Sequence, residues 1–266
     1  MTYLRRASGL WCPDYHLRFP PERGFAQPNY SILPGHFPAG AVARAAGVVA
    51  PLEFVQTTSE RRTGTGKTFT WNSVSIGAAP TGNDRRYVVA VFGTNAAANN
   101  VILDGATIGG AAATEVALAE NTGSGSCNVG MWFLEVPTGA TTDIVFSLNS
   151  SGNDGAGGNL FALSFYSGSG GASLRQAHSD APNNNPSVTY DATAGDLVVG
   201  GTQYRNGRIS SYDTLVIDEE EAGISSDYGT IGHAEIASSV TGETESPNAS
   251  NSGNEECLVL GVFKPD

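Results

Sequence analysis

From Thr68 to Phe263 short β-rich runs alternate with turn signals, and no segment carries the period of an amphipathic helix. This combination constrains the fold more than any other feature. Parallel strands need long crossover connections, usually helical. A chain whose turns recur every ~8–15 residues therefore pairs its strands antiparallel. Strands are expected near 69–76, 86–93, 100–103, 106–109, 114–120, 128–136, 142–149 and 159–167. Later ones are expected near 173–178, 187–190, 196–204, 213–218, 229–238 and 257–263. Asp104-Gly105 falls between two β-compatible runs and reads as a tight hairpin turn.

Five runs are apolar enough to be buried on both faces: Tyr87–Phe92, Met131–Val136, Leu160–Tyr166, Leu197–Val199 and Leu258–Phe263. Val74 and Ile76 alternate with Ser73 and Ser75, as a half-buried strand does. Trp71 and Trp132 lie inside expected strands, where packing is their ordinary role. The last strand ends three residues from the terminus, so the domain is closed by its C-terminus. Thirty-four glycines and only 15% charged residues fit many short strands joined by tight turns. The expected architecture over 68–266 is all-β, an antiparallel two-sheet sandwich of jelly-roll-like type. No fixed-period repeat points to a propeller or a β-helix. Two stretches, 149–158 and 242–254, read as long, soft loops.

Residues 1–67 read as an extended arm. Seven of the thirteen prolines fall there, and proline removes a backbone donor and fixes φ. Only Ala39–Val49 has the small-residue composition of a short helix. Yet a flexible linker would be Gly/Ser-rich, and this segment carries large aromatics instead. Trp11, Tyr15, Phe19, Phe25, Tyr30 and Phe37 are the candidate anchors of a strap lying on its own sandwich or on a neighbouring subunit. Each buried aromatic contributes roughly 1.5–3 kcal/mol against the cost of ordering the strap.

Charge is unevenly spread. Residues 1–67 hold eight Lys/Arg against four Asp/Glu, whereas 68–266 hold six against twenty-two. The acidic body repels nucleic acid and anionic membranes, so neither is expected as a partner. The N-terminus lacks the apolar core of a signal peptide, and the most apolar stretch, 39–54, is interrupted by Arg44 and Pro51. The chain is thus expected to be made in the cytoplasm and to leave a cell by lysis or within a particle. Cys12, Cys127 and Cys257 are too few and too widely spaced for a disulfide framework or a CxxC zinc site. Buried thiols are expected, with one pairing, Cys127–Cys257, left open.

No chemical signature stands out. Gly123-Ser124-Gly125-Ser126-Cys127 and Ser167-Gly168-Ser169-Gly170-Gly171 are not nucleophile elbows, since no helix follows. His16, His36, His178 and His233 are scattered, so neither a catalytic histidine nor a metal set emerges. Structural calcium has two weak candidates, Asn149/Ser151/Asn153/Asp154 and the run Asp218-Glu219-Glu220-Glu221. Neither has the ligand spacing of a calcium loop. Twenty-six acidic residues leave room for a glycosidase pair but single none out.

One resemblance is carried by Val74-Ser75-Ile76-Gly77, Arg86-Tyr87-Val88-Val89-Ala90-Val91-Phe92-Gly93, Ala106–Thr114 and Val136–Val145. Their order resembles β-sandwich modules of tailed-bacteriophage and prophage virion structural proteins. It covers Trp71–Tyr166, about a third of the chain, and leaves the arm outside. The resemblance implies a non-enzymatic virion protein, a head decoration, a neck or collar appendage, or a tail fibre. Its implied partners are other virion proteins and further copies of itself, with a host-surface glycan as a further contact. The alternatives are a carbohydrate-binding module and a polysaccharide depolymerase.

Overall fold

The structure, a computed structural model, describes residues 49–95, 101–120, 127–150, 155–181, 185–205, 207–222, 228–249 and 256–266, with the backbone of 3–5 and 11–13. The chain divides into two compact units, Met1–Ala46 and Gly47–Asp266. In the first, strand β1 (Tyr3–Arg5) pairs antiparallel with β2 (Trp11–Pro13), Leu4 opposite Cys12.

The second unit is all-β. Its first half contains β3 (Glu53–Gly66), β4 (Thr68–Ser75), β5 (Arg85–Asn95), β6 (Val101–Ile108), β7 (Ala111–Ala112), β8 (Thr114–Glu120), β9 (Cys127–Glu135), β10 (Thr141–Ser150) and β11 (Gly155–Ser167). These form an inner sheet of order β3-β11-β5-β9-β8 and an outer sheet of order β4-β10-β6-β7. Leaving aside β8, an extra strand hairpinned onto β9, the first strand pairs with the eighth, the eighth with the third and the third with the sixth. In the facing sheet the second pairs with the seventh, the seventh with the fourth and the fourth with the fifth. That connectivity is a jelly roll: the expected all-β, antiparallel, jelly-roll-like fold holds, but the single two-sheet sandwich expected over 68–266 is complete by Ser167, and the rest of the chain forms further sheets.

The second half contains β12 (Ala172–Asp180), β13 (Val188–Ala192), β14 (Leu197–Tyr204), β15 (Ile209–Tyr212), β16 (Val216–Ala222), β17 (Tyr228–Glu235), β18 (Val240–Glu245), β19 (Pro247–Ala249) and β20 (Glu256–Pro265). Its inner sheet runs β12-β20-β14-β17-β16, and two ribbons, β13-β18 and β15-β19, cover its outer face. If β18 and β19 are taken as one strand broken at Ser246, the order repeats that of the first half. The counterpart of β7 is absent among the described residues. Irregularities repeat too. Val55 is skipped in the pairing of β3 with β11, and Arg175 at the same point of β12 with β20. Val116 is skipped between β8 and β9, and Asp218 at the same point between β16 and β17. Val136 N donates to Arg86 O, and Ile236 N donates to Asp196 O, at matching corners. The unit is two jelly rolls in tandem.

Both inner sheets are buried on both faces, as their sequences anticipated. Val88, Ala90, Phe92, Leu160, Ala162 and Trp132 face the first outer sheet, where Trp71 and Phe146 meet them. Val89, Val91, Met131, Phe161 and Phe165 face the second roll's Val199, Val259 and Phe263. Leu258, Leu260 and Val262 point the other way, under Tyr190 and Tyr212. Trp71 and Trp132 are each 1% exposed, core residues as expected.

Equivalent positions meet across the interface. Phe165 touches Phe263 with ring centroids 5.5 Å apart. A Cβ on Gly201 would lie 2.6 Å from Val91, and one on Gly93 would lie 2.1 Å from Gln203. Contact between equivalent residues is the mark of a two-fold interface. Here the local axis runs along the strands, so corresponding ends of the two rolls coincide.

Several sequence expectations change. Residues 53–66, assigned above to the arm, are the first strand of a roll, so the arm ends before Glu53 rather than at residue 67. Strand-forming Phe54, Val55 and the Thr/Ser run were masked by the prolines upstream. Asp104-Gly105 is not a hairpin turn but a bulge inside β6, where Leu103 and Gly105 face consecutive residues of β10 and Asp104 is extra. The stretch 242–254 is in its first part strand, β18 and β19. Likewise 149–158 narrows to 151–154, which lies outside the described residues. The expected strand 213–218 is instead the turn after β15 and the start of β16. The short helix expected over 39–49 lies almost wholly outside the described residues.

Candidate functional site

Jelly-roll connectivity sends alternate connections to opposite ends. One end of the double roll carries tight turns held by charge. Arg86 is fully buried. Its guanidinium donates to the carbonyls of Gly77 at 2.8 Å, Ala78 at 2.6 Å, Thr138 at 2.8 Å, Gly139 at 2.7 Å and Val136 at 3.0 Å. It thereby ties the β4–β5 turn to the β9–β10 turn, while burial pushes its pKa down. The equivalent corner of the second roll uses the opposite charge. Asp196, 1% exposed, accepts from Thr193 N at 2.8 Å and pairs with Arg175 at 2.7 Å.

The chain enters and leaves at this turn end: Leu52 N donates to Gly195 O, and Asp266 N to Gly171 O, both at 3.0 Å. A half-open groove of about 490 Å³ lies here, lined by Leu52, Glu53, Gly195, Asp196, Glu235 and Ile236. Two of its three carboxylates are committed to the scaffold: besides Asp196, Glu235 accepts Phe54 N at 2.9 Å. Nearby, His233 stacks on Phe54 with centroids 4.0 Å apart and 12° between planes. Its Nδ1 lies 2.8 Å from both carboxylate oxygens of Asp218. This pair, which sequence spacing did not bring together, clamps β17 to β16 and to β3 of the first roll.

The run 218–221 lies on edge strand β16, and its carboxylates go to three different partners. Asp218 takes His233, Glu220 pairs with Arg208 at 2.5 Å, and Glu219 and Glu221 both accept from Ser59 Oγ, at 3.4 and 3.3 Å. Among the described residues no group of three His, Cys, Asp or Glu is arranged to hold a metal ion. Asn153 and Asp154 lie outside those residues, as does Ser151. His178 sits on β12 against Gln176, far in sequence and sheet position from His233. His16 and His36 lie outside the described residues.

The opposite end is where eight connections leave the strands: those around 67, 96–100, 121–126, 151–154, 182–184, 206, 223–227 and 250–255. By sequence they are rich in asparagine, serine and glycine. Beneath them the interface turns polar. Thr94, Asn128, Asn159, Gln203 and Glu256 are all at most 2% exposed. Thr94 Oγ1 donates to Gly157 O at 2.6 Å. The amide oxygens of Asn159 and Gln203 have no hydrogen-bond partner among the described residues. Burial pushes the Glu256 carboxyl up to about 7, against the pull of the Asn185 amide and the Tyr204 hydroxyl. Cys127 and Cys257 meet here as well. No sequence signal marked this belt, because its members come from five strands of two sheets.

Of the six expected anchor residues, Trp11 falls in β2, and Tyr15, Phe19, Phe25, Tyr30 and Phe37 lie outside the described residues. No family model matches this chain and no curated protein matches it, so the virion resemblance rests on its motifs alone.

Proposed function

We propose that this chain is a non-enzymatic structural and attachment protein of an assembled particle, of the tailed-phage virion kind its motifs resemble. The N-terminal arm fastens it, through Trp11, Tyr15, Phe19, Phe25, Tyr30 and Phe37, to neighbouring virion proteins. The double jelly roll stands outward and presents its loop end. The observation that carries this reading is polarity: the chain enters and leaves the double roll at the turn end, and eight connections rich in asparagine, serine and glycine leave the strands at the other. Such an arrangement suits a spacer with one fastened and one presenting end. Two pseudo-symmetric, mutually buried rolls supply the stiffness that role needs. Copies related by a particle symmetry axis complete the expected assembly.

The test compares full-length protein with residues 47–266 in particle assembly, read by co-sedimentation and by circular dichroism of the truncated chain. A folded 47–266 that no longer sediments with particles is the expected result. Equal incorporation of both would sink the anchoring role.

A second reading, glycan binding, is favoured by the Asn/Ser-rich sequence of the connections that leave the strands at the loop end, since loops of a rigid β scaffold commonly bind ligands. A saturable titration of the isolated full-length protein against host polysaccharides supports it, and a flat one removes it.

A further inference from the structure

Cys127 is the first residue of β9, in the first roll, and Cys257 the second residue of β20, in the second roll. They are 130 residues apart in sequence. Both side chains are 0% exposed. Their sulfurs lie 3.0 Å apart, and the Cys257 thiol also points at the Cys127 carbonyl, 2.9 Å away. Sulfurs of two non-bonded thiols normally stay further apart than this, so the side chains are aimed at each other and need only a small shift to reach bonding distance. Each sulfur is held by a well-packed strand of a different roll. Their meeting is therefore a property of how the rolls dock, not of a flexible loop.

We infer that Cys127 and Cys257 form a disulfide that staples the two jelly rolls together at the loop end once the protein meets an oxidising environment. The oxidant is a low-molecular-weight disulfide. The thiolate of one cysteine attacks it, its S–S bond breaks, and one small thiolate leaves. The second cysteine's thiolate then attacks the resulting mixed disulfide at the protein sulfur and expels the second small thiolate. The two protons lost by the cysteines end on the two small thiols, so two protein thiols are oxidised and one small disulfide is reduced. Because both sulfurs are inaccessible in the folded chain, the first attack belongs to folding or to an opening of β20, and the finished bridge is then protected. The cross-link closes a long loop and restrains the unfolded chain. A particle protein released at lysis passes from a reducing to an oxidising medium, where such a bridge persists.

The test uses the full-length chain carrying Cys12→Ser, which removes the third thiol. The reduced protein is refolded with a mixture of oxidised and reduced glutathione, and a parallel sample with a phosphine reductant. Intact mass, non-reducing peptide mapping and thermal melts are then measured. The expected result is a loss of about 2 Da relative to the reduced sample. A Cys127–Cys257 linked peptide and a melting temperature higher by about 5 °C or more accompany it. Both refolded samples should show the same β-type circular dichroism, which separates loss of the bridge from loss of the fold. Overturning results are two alkylatable thiols in the oxidised, folded sample, or stable glutathione adducts in place of the bridge.

Discussion

Arg86 shows how one residue organises an end of the molecule. Its guanidinium has five donors in a fixed fork, and the two turns it joins supply the carbonyls that accept from it. Arg86→Met keeps the apolar stem and strands those carbonyls, so a loss of about 3–5 kcal/mol is expected in urea unfolding. Arg86→Lys should recover only part of it, since one ammonium cannot span both turns. Glu256 makes a prediction about pH. Its carboxyl titrates near 4.5 when unfolded and is pushed up to about 7 by burial in the fold. Between these values the folded chain holds a proton that the unfolded chain does not. Stability should therefore be full below about 4.5, fall as pH rises to about 7, and level off above it. Melts from pH 5 to 8 check the sign, and Glu256→Gln should flatten this part of the profile and raise stability at pH 8. At Gly201 the neighbour across the local axis is the rigid Val91, so Gly201→Val should cost about 1–3 kcal/mol or more by overpacking.

Among the elements, β3 and β20 are the first and last strands of the double roll, and each is indispensable for a different reason. β20 lies between β12 and β14 and buries both faces, one against the first roll and one under the outer ribbons. A chain ending before Glu256 should not fold, as read by circular dichroism. β3 is an edge strand, but it pairs along nearly all of β11. Residues 47–266 are expected to melt like the parent, whereas 61–266, which keeps only the end of β3, should melt well below it or not fold. The elements also show where the sequence was legible. The doubly buried strands β5, β9, β11, β14 and β20 were readable as continuous apolar runs, because a strand with no wet face has no alternation to hide. β3, β16 and β18 were misread, since edge strands in partly wetted positions carry Thr, Ser and Glu and resemble solvated loops.

For the whole molecule, the two rolls share a core made from both inner sheets. Neither can expose its inner sheet without exposing the other's. Calorimetry of the full-length protein should therefore show one cooperative transition for the double roll, with van't Hoff and calorimetric enthalpies in agreement. Two resolved transitions would mean that the rolls are independent domains. The shared core also bears on the proposed role, because a spacer that presents a binding end works only if its halves move as one body.

Apolar runs, turn chemistry and the lack of a helical period determined, without help from the structure, that the chain is all-β, antiparallel and closed by its C-terminal strand. These are local properties, legible because period two and tight turns are written residue by residue. The tandem repeat was decided only in three dimensions. At equivalent positions the two rolls carry Val91 and Gly201, Phe92 and Thr202, Gly93 and Gln203. Near a two-fold axis equivalent residues face each other, and two large ones collide while two small ones leave a void. Divergence towards complementary sizes removes the collision and, with it, the sequence likeness that would have revealed the duplication. The polar belt and the cysteine pair were hidden for a related reason: their members come from strands of different sheets, and only the docking of the rolls sets them side by side.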